Sequence, residues 1–356
     1  MKDGVREDIR TILQESMNAP SGSNSQPWKF RVRVGEIEVI AMPEKDHPIL
    51  NFRNRGTWVA HGALLENILI AASAHGYRAR CRAFPTPQRP NVTAVVSLTK
   101  GDPARNPLYD ALPRRASNRK PYATEPLTTA EKESLLGAAA DVGGGEVRLA
   151  EGPTALQSIG RALSVNEIVT LESETLHKLF VREVVWREKE ERERGSGLLL
   201  RTMELAPPQR FMLKTFLRHW PVMRALNHIG AARGIAKGNA KTYAAAAAMG
   251  AIIIEDKDEA FLSAGRMMER IWLQVTTMGL SMQLFAGITF LAQRARSGSF
   301  PEIPQELVRL ASNAYGELAS AFGAGGTRTI AIVFRIGRGN PPSAISPKRP
   351  PVILEE

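Results

Sequence analysis

The chain has a single cysteine, Cys81, among its 356 residues. An internal disulfide is therefore excluded, and a reducing compartment, the cytoplasm, is the expected location. No run of about eighteen apolar residues occurs. The apolar stretch Ala244 to Ile254 is too short to span a bilayer, so no membrane partner is expected. The first residues, Met1 to Asp8, are charged and lack an apolar core, so no secretory signal is expected. Aromatic residues make up only 6%. The six histidines and one cysteine show neither zinc-ligand spacing nor HExxH, so no metal is expected. A GxSxG elbow and a Walker A loop are also missing. Gly323-Ala324-Gly325-Gly326 is a turn before a strand and not a dinucleotide fingerprint.

What is present is charge and length. Net charge is +11 with a pI near 10, which points to an anionic ligand or to a solvated basic surface. The basic residues are spread along the chain, and with few aromatics no nucleic-acid partner is expected. A hydrophobic content of 43% suits a sizeable core, and the length suits two domains or a duplicated one.

Apolar spacing predicts helices over Gly4–Met17, Thr57–His75, Thr128–Ala140 and Leu262–Met278. Gly76 and Gly279 stand as stops after the second and fourth. Strands are predicted over Lys29–Ile40 with a turn near Gly35, then Tyr77–Phe84, Val92–Leu98, Glu146–Ala150 and Thr327–Ile336. A strand-like Ala-Ile-Ile-Ile closes Thr242–Ile254. A long helical section is expected over Ala155–Arg194, followed by an interrupted amphipathic stretch, Leu198–Ala236.

The segment Leu64–Tyr77 can be laid on Met267–Leu280. At one constant offset Glu66 meets Glu269, Ile68 meets Ile271 and Gly76 meets Gly279. In both halves a helix and a strand precede this apolar helix and a strand follows it. An internal duplication is the expected origin, with two unrelated α+β segments as the alternative.

Two polar constellations stand out. Ala19 to Trp28 reads Ala-Pro-Ser-Gly-Ser-Asn-Ser-Gln-Pro-Trp, a turn-rich loop that cannot build a core but can place hydroxyls and amides around a flat polar ligand. Arg114 to Lys120 packs four positive charges and a hydroxyl into seven residues. Guanidinium forks match phosphate oxygens bidentately, although composition alone favours a basic interdomain linker.

Both runs resemble motifs of the nitroreductase family. The Pro20–Trp28 loop is similar to that family's flavin-contacting loop, and Arg115-Ala116-Ser117-Asn118-Arg119 to its Arg-x-Ser-x-Arg phosphate grip. Each occurs once, in different halves, so the resemblance implies one composite FMN site. Pro20, Ser21, Ser23, Asn24 and Gln26 would line the ring and ribityl edge, and Arg115, Ser117 and Arg119 the phosphate. Asn239 and Lys241 would reach the flavin's polar edge, with Lys348 and Arg349 of the basic tail adding charge at the phosphate.

The implied fold is α+β, with two nitroreductase-like halves fused as a pseudo-dimer and antiparallel-rich sheets flanked by helices. The halves are residues 1–100 and 101–356, the second with a helical lid insertion over about 151–237. The duplicated form looks most like Acg-type members. The implied activity is transfer of hydride from NAD(P)H through FMN to a nitroaromatic, quinone or specialised metabolite, with no catalytic side chain. The alternative is FMN storage beneath the lid. A monomer that is itself a pseudo-dimer is expected, with a homodimer of such monomers left open.

Overall fold

The computed structural model describes residues 6–298 and 300–354. Gly4 and Val5 of the first predicted helix lie outside them. The first half runs α1 (Glu7–Ser16), β1 (Trp28–Arg33), β2 (Glu36–Ala41), α2 (Arg55–Ala74), β3 (Tyr77–Ala83) and β4 (Val92–Lys100). A linking segment holding Arg114–Lys120 leads to α3 (Thr129–Ala140) and β5 (Gly145–Ala150).

Next come α4 (Pro153–Glu172), α5 (Glu174–Glu183), β6 (Val184–Val185), α6 (Glu188–Arg194), β7 (Leu198–Leu199), α7 (Pro207–Met212), α8 (Trp220–Asn227) and α9 (Ala231–Ala244). The chain then completes its second sheet. Its last elements are β8 (Ala248–Glu255), α10 (Ala260–Thr277), β9 (Ser281–Phe285), α11 (Gly287–Arg296), α12 (Gln305–Ala321), β10 (Arg328–Gly337) and β11 (Ile353–Leu354).

Two sheets carry the fold. The first has the order β11-β1-β2-β4-β3 and the second β5-β8-β10-β9. Leaving β11 aside, each places its strands in the spatial order first, second, fourth, third. Every one of these pairings is antiparallel in both sheets. In the second sheet β8 is covered on both faces, with Ile252 and Ile254 in the core around α10 and Ala251 and Ile253 in a second cluster with α4 and α12. The apolar helices α2 and α10 pack against each other between the sheets, inside one continuous core.

Their crossing is reciprocal. A Cβ on Gly62 would fall onto the carbonyl oxygen of Leu262, and one on Gly265 onto that of Val59. These pairs obey the same offset as Glu66 and Glu269, the geometry expected of a two-fold-related contact. Only glycine permits so close an approach at both points. After each helix a glycine adopts positive φ, 76° at Gly76 and 71° at Gly279, and turns the chain into the next strand. Glu66 of α2 pairs with Arg266 at 2.9 Å and Arg270 at 2.8 Å on α10.

The predicted continuous helix over Ala155–Arg194 is broken. Ser173 is extended and its hydroxyl accepts from the Leu176 amide, ending α4 and capping α5. Val184–Val185 then pair in parallel with Leu198–Leu199, because β-branched residues favour a strand over a helix turn. Pro207 and Pro221 each open a new helix, and Gly230 at φ 82° precedes α9. The Ala-rich stretch from Thr242 begins as the last turn of α9, and the expected Ala-Ile-Ile-Ile strand lies within β8. No element was expected over 281–326, where the structure has β9, α11 and α12. Among the described residues no helix is long and apolar enough to cross a membrane, and no group of side chains could hold a metal ion.

Candidate functional site

The loop between α1 and β1 is strained. Ser23, Asn24 and Gln26 have φ of 45°, 54° and 49°, a region that side-chain-bearing residues rarely adopt. Surrounding contacts hold them there. The Gln26 amide donates to Ser21 Oγ at 2.9 Å. Fully buried His61 bridges Pro27 O at 2.8 Å and Thr93 Oγ1 at 2.7 Å, and burial pushes its pKa down to about 4, so it acts as a neutral strut. Trp28 anchors the loop end in the core, its indole N–H facing Met17 Sδ at 3.3 Å.

The basic tail is stitched to this loop. β11 pairs in parallel with β1, which carries the tail of the second half onto the first half's sheet. Asn24 Nδ2 donates to Pro347 O at 3.0 Å. Lys348 Nζ donates to Ala19 O at 2.9 Å and to Asn24 Oδ1 at 2.8 Å. The Arg349 amide donates to Gln26 Oε1 at 2.8 Å.

The Arg114–Lys120 segment arrives from the other side. Arg115 is buried, donates through Nη2 to Asn18 O at 2.6 Å, and lies over the Trp272 ring at 4.4 Å. Its Nε stands 3.5 Å from Glu269 Oε1. Neither that nitrogen nor either Glu269 oxygen has a hydrogen-bond partner. Ser117 forms an isolated bridge with Met282, and the Asn118 amide donates to Met282 O at 3.0 Å. Asn118 Nδ2 donates to Ser281 Oγ at 2.9 Å and Asn340 O at 2.8 Å. Arg119 Nη1 donates to Thr202 O at 2.9 Å. Nearby Arg335, fully buried on β10, lies over Tyr122 at 4.2 Å and donates to Gln283 and to Lys120 O.

A strap from the region between β5 and β8 closes over the loop. The Gly197 amide donates to Ser23 O at 2.7 Å, and Gln26 Nε2 donates to Gly195 O at 2.9 Å. Arg349 donates to Ser196 Oγ at 3.2 Å and to Arg194 O.

The electrostatics favour an anion. Burial, and then Arg115, push Lys348 down to about 7, against the pull of Glu269. Burial pushes Glu269 up to about 7, opposed by Arg115. Burial also lowers Arg115, Arg119 and Arg335. Cations held below their ordinary values by desolvation and by one another gain from an added negative charge.

Ser21, Asn24, Gln26, Lys348 and Arg349 are thus linked by hydrogen bonds. Ser23 is held through Gly197, and Pro20 precedes Ser21. Arg115 reaches the start of the loop at Asn18 O, with Ser117 and Arg119 on the same segment. The other two candidates stand on α9. Asn239 donates to Glu167 Oε1 at 3.2 Å, and that carboxylate also accepts from the Tyr243 hydroxyl, which in turn feels Arg119 and Arg335. Lys241 is exposed on α9, where it lines a separate cleft. Sequence reasoning missed Glu269 and Arg335 as site residues. Glu269 carried a signal as the one carboxylate of α10, and Arg335 as a charge inside an apolar run of β10. The strap lies within the insertion expected as a lid, but no residue of it was singled out.

No protein-family model matches the chain. Over 123 residues it is 28% identical to a Mycobacterium tuberculosis protein named "Putative NAD(P)H nitroreductase", covering 34% of this chain and 36% of that relative. Over 124 residues it is 28% identical to the acg protein of the same organism, which bears the same designation, covering 33% and 37%. An uncharacterized protein of that organism is 23% identical over 346 residues, covering 95% of this chain and 47% of the relative. The matches thus span from about a third to about half of these relatives' length. Among solved structures, a nitroreductase with bound FMN from Bacteroides fragilis aligns with a TM-score of 0.38 and 10% identity, over 68% of this chain and 94% of its own. The chain is similar to nitroreductase-like proteins that include Acg.

Proposed function

We propose that this chain binds one FMN between the Ser21–Gln26 loop and the Arg115–Arg119 segment, and that it is a flavin-dependent oxidoreductase. One observation carries the reading: loop, segment and tail, remote in sequence, meet where two cations, Arg115 and Lys348, share one buried carboxylate, Glu269. The donor set fits a nucleotide phosphate. Among the described residues the buried Arg115 Nε has no hydrogen-bond partner and only the ion-pair contact with Glu269. Half-buried Lys348 is close enough to feel Arg115 electrostatically, and Ser117 supplies a hydroxyl on the same segment. Each charge-assisted bond contributes about 1.5–3 kcal/mol.

The halves, 1–100 and 101–356, are read as a fused pseudo-dimer, supported by the shared strand order and by the reciprocal Gly62 and Gly265 contact. Residues about 151–237, part of the segment that stands where the first half has only a hairpin turn, are read as the lid. When bound, the flavin supplies hydride acceptance from NAD(P)H and release to a small acceptor. The protein's share is to hold and orient. The Ser21–Gln26 loop, its backbone fixed by the tail and strap, would line the flavin, and Arg115 and Lys348 would supply the counter-charge.

A second reading, FMN storage, is favoured by the strap, whose Gly195 and Gly197 are hydrogen-bonded directly to the loop. One experiment tests both. Protein reconstituted with FMN should show flavin absorbance after desalting, and a colourless protein refutes both readings. Anaerobic NADPH or NADH should bleach it rapidly in the reductase and leave it oxidised in the storage protein.

A further inference from the structure

A cleft of about 920 Å³ lies between α4 and α9 and reaches the chain before β8. The two helices touch at Gly160, where a Cβ would lie 2.8 Å from Ala240 O. Beside that contact their facing surfaces diverge, leaving a groove.

Its floor is apolar, formed by Leu156, Val165 and Ile168 of α4 and by Ala236 and Ala240 of α9. Its rim is basic. Arg233, Lys237 and Lys241 recur every fourth residue, so they share one face of α9, and Arg161 faces them from α4. Arg233 is engaged by Glu172 at 3.4 Å. Among the described residues no carboxylate pairs with Arg161, Lys237 or Lys241. The one carboxylate on the rim, Glu151, is held by Lys132 at 3.0 Å.

We infer that this cleft binds a single-chain amphiphile with an anionic head, a carboxylate or a phosphate, its hydrocarbon chain lying on the apolar floor. The volume falls in the range of small-molecule sites. Burial of each methylene contributes favourably, and the three unpaired cations attract and orient the head. The inference does not rest on the flavin reading, since the lining shares no residue with the Ser21–Gln26 loop or the Arg115–Arg119 segment.

The test is titration calorimetry on the whole chain with laurate, dodecyl phosphate, dodecanol and inorganic phosphate, each below the micellar range. Saturable one-site binding of laurate or dodecyl phosphate is expected, and the tighter of the two identifies the head. Inorganic phosphate should bind at least about tenfold more weakly than the alkyl phosphate. In the double variant Lys237→Gln, Lys241→Gln, both exposed positions, affinity for the anionic probes should fall about tenfold or more, with dodecanol unchanged. Absence of binding by either anionic amphiphile overturns the inference. So does equal affinity in the double variant, or inorganic phosphate binding as tightly as its alkyl ester.

Discussion

The two sheets share one strand order but differ in what joins their first two strands. In the first half β1 and β2 are linked by the turn at Val34 and Gly35. In the second half β5 and β8 are separated by residues 151–247, which hold six helices and both short strands of the small parallel pair. The polar machinery is divided in the same uneven way. The strained loop belongs to the first half, whereas the buried cations and the tail belong to the second. Equivalent frames have thus come to do different work. The contact between α2 and α10 is kept reciprocal by packing, while the loops at the sheet ends diverge, because a loop needs only to satisfy its own backbone and its ligand.

The most severe way to break the comparison is at the crossing. Gly62→Val and Gly265→Val should each abolish cooperative folding, because a side chain must displace backbone on both sides. Gly22→Val, in open space, should leave the urea midpoint nearly unchanged. A marked difference between the two crossing variants would show the contact to be asymmetric.

The next largest effect is on ligand affinity. Arg115→Ala and Arg119→Ala should each weaken FMN binding by about tenfold to a hundredfold, measured by flavin fluorescence quenching, whereas Arg6→Ala in the first half should not. Equal losses would remove the argument for a single composite site.

Charge at the site sharpens the contrast further. Glu269, raised to about 7, binds a proton in the folded state that the unfolded chain has released. Stability should therefore fall as pH rises from about 4.5 to about 7. Lys348, lowered to about 7, behaves oppositely. Above that value the unfolded chain holds the extra proton, so stability should rise with pH toward the ordinary lysine range. Ligand-free protein should show a shallow trough near neutrality in its thermal midpoint. Glu269→Gln should remove the acid limb and Lys348→Met the alkaline one. A profile unchanged in both variants would refute the assignment.

The smallest effect concerns helix starts. Thr128 caps α3 in a reciprocal box with Glu131, whereas Arg6 gives α1 no side-chain cap. Thr128→Ala should cost about 1 kcal/mol by urea denaturation, and Arg6→Ala less.

Much of this molecule was legible because its signals are local. The hairpin at Gly35 and the glycine stops after α2 and α10 depend on neighbours within a few residues. The matching offsets of Glu66 with Glu269 and Gly76 with Gly279 also survived in the chain. The breaks at Ser173 and Val184–Val185 were hidden, because a charge-rich stretch reads as helix until a strand partner as distant as Leu198 competes for it. Helices α11 and α12 lacked a cue strong enough to separate them from the connecting chain.

By itself the sequence determined the alternation of helices and strands, the apolar identity of α2 and α10, and the two polar runs at Pro20–Trp28 and Arg115–Arg119. Periodicity and turn chemistry act over a few residues and are written directly in the order of side chains. Only the tertiary structure decided that Lys348 and Asn24 touch, that Arg115 faces Glu269 beside Trp272, that the strap seals the loop, and that Lys241 turns toward a different cleft. Those outcomes depend on how separate elements stack. Burial then creates the displaced pKa values and unpartnered donors that no linear stretch of the chain contains.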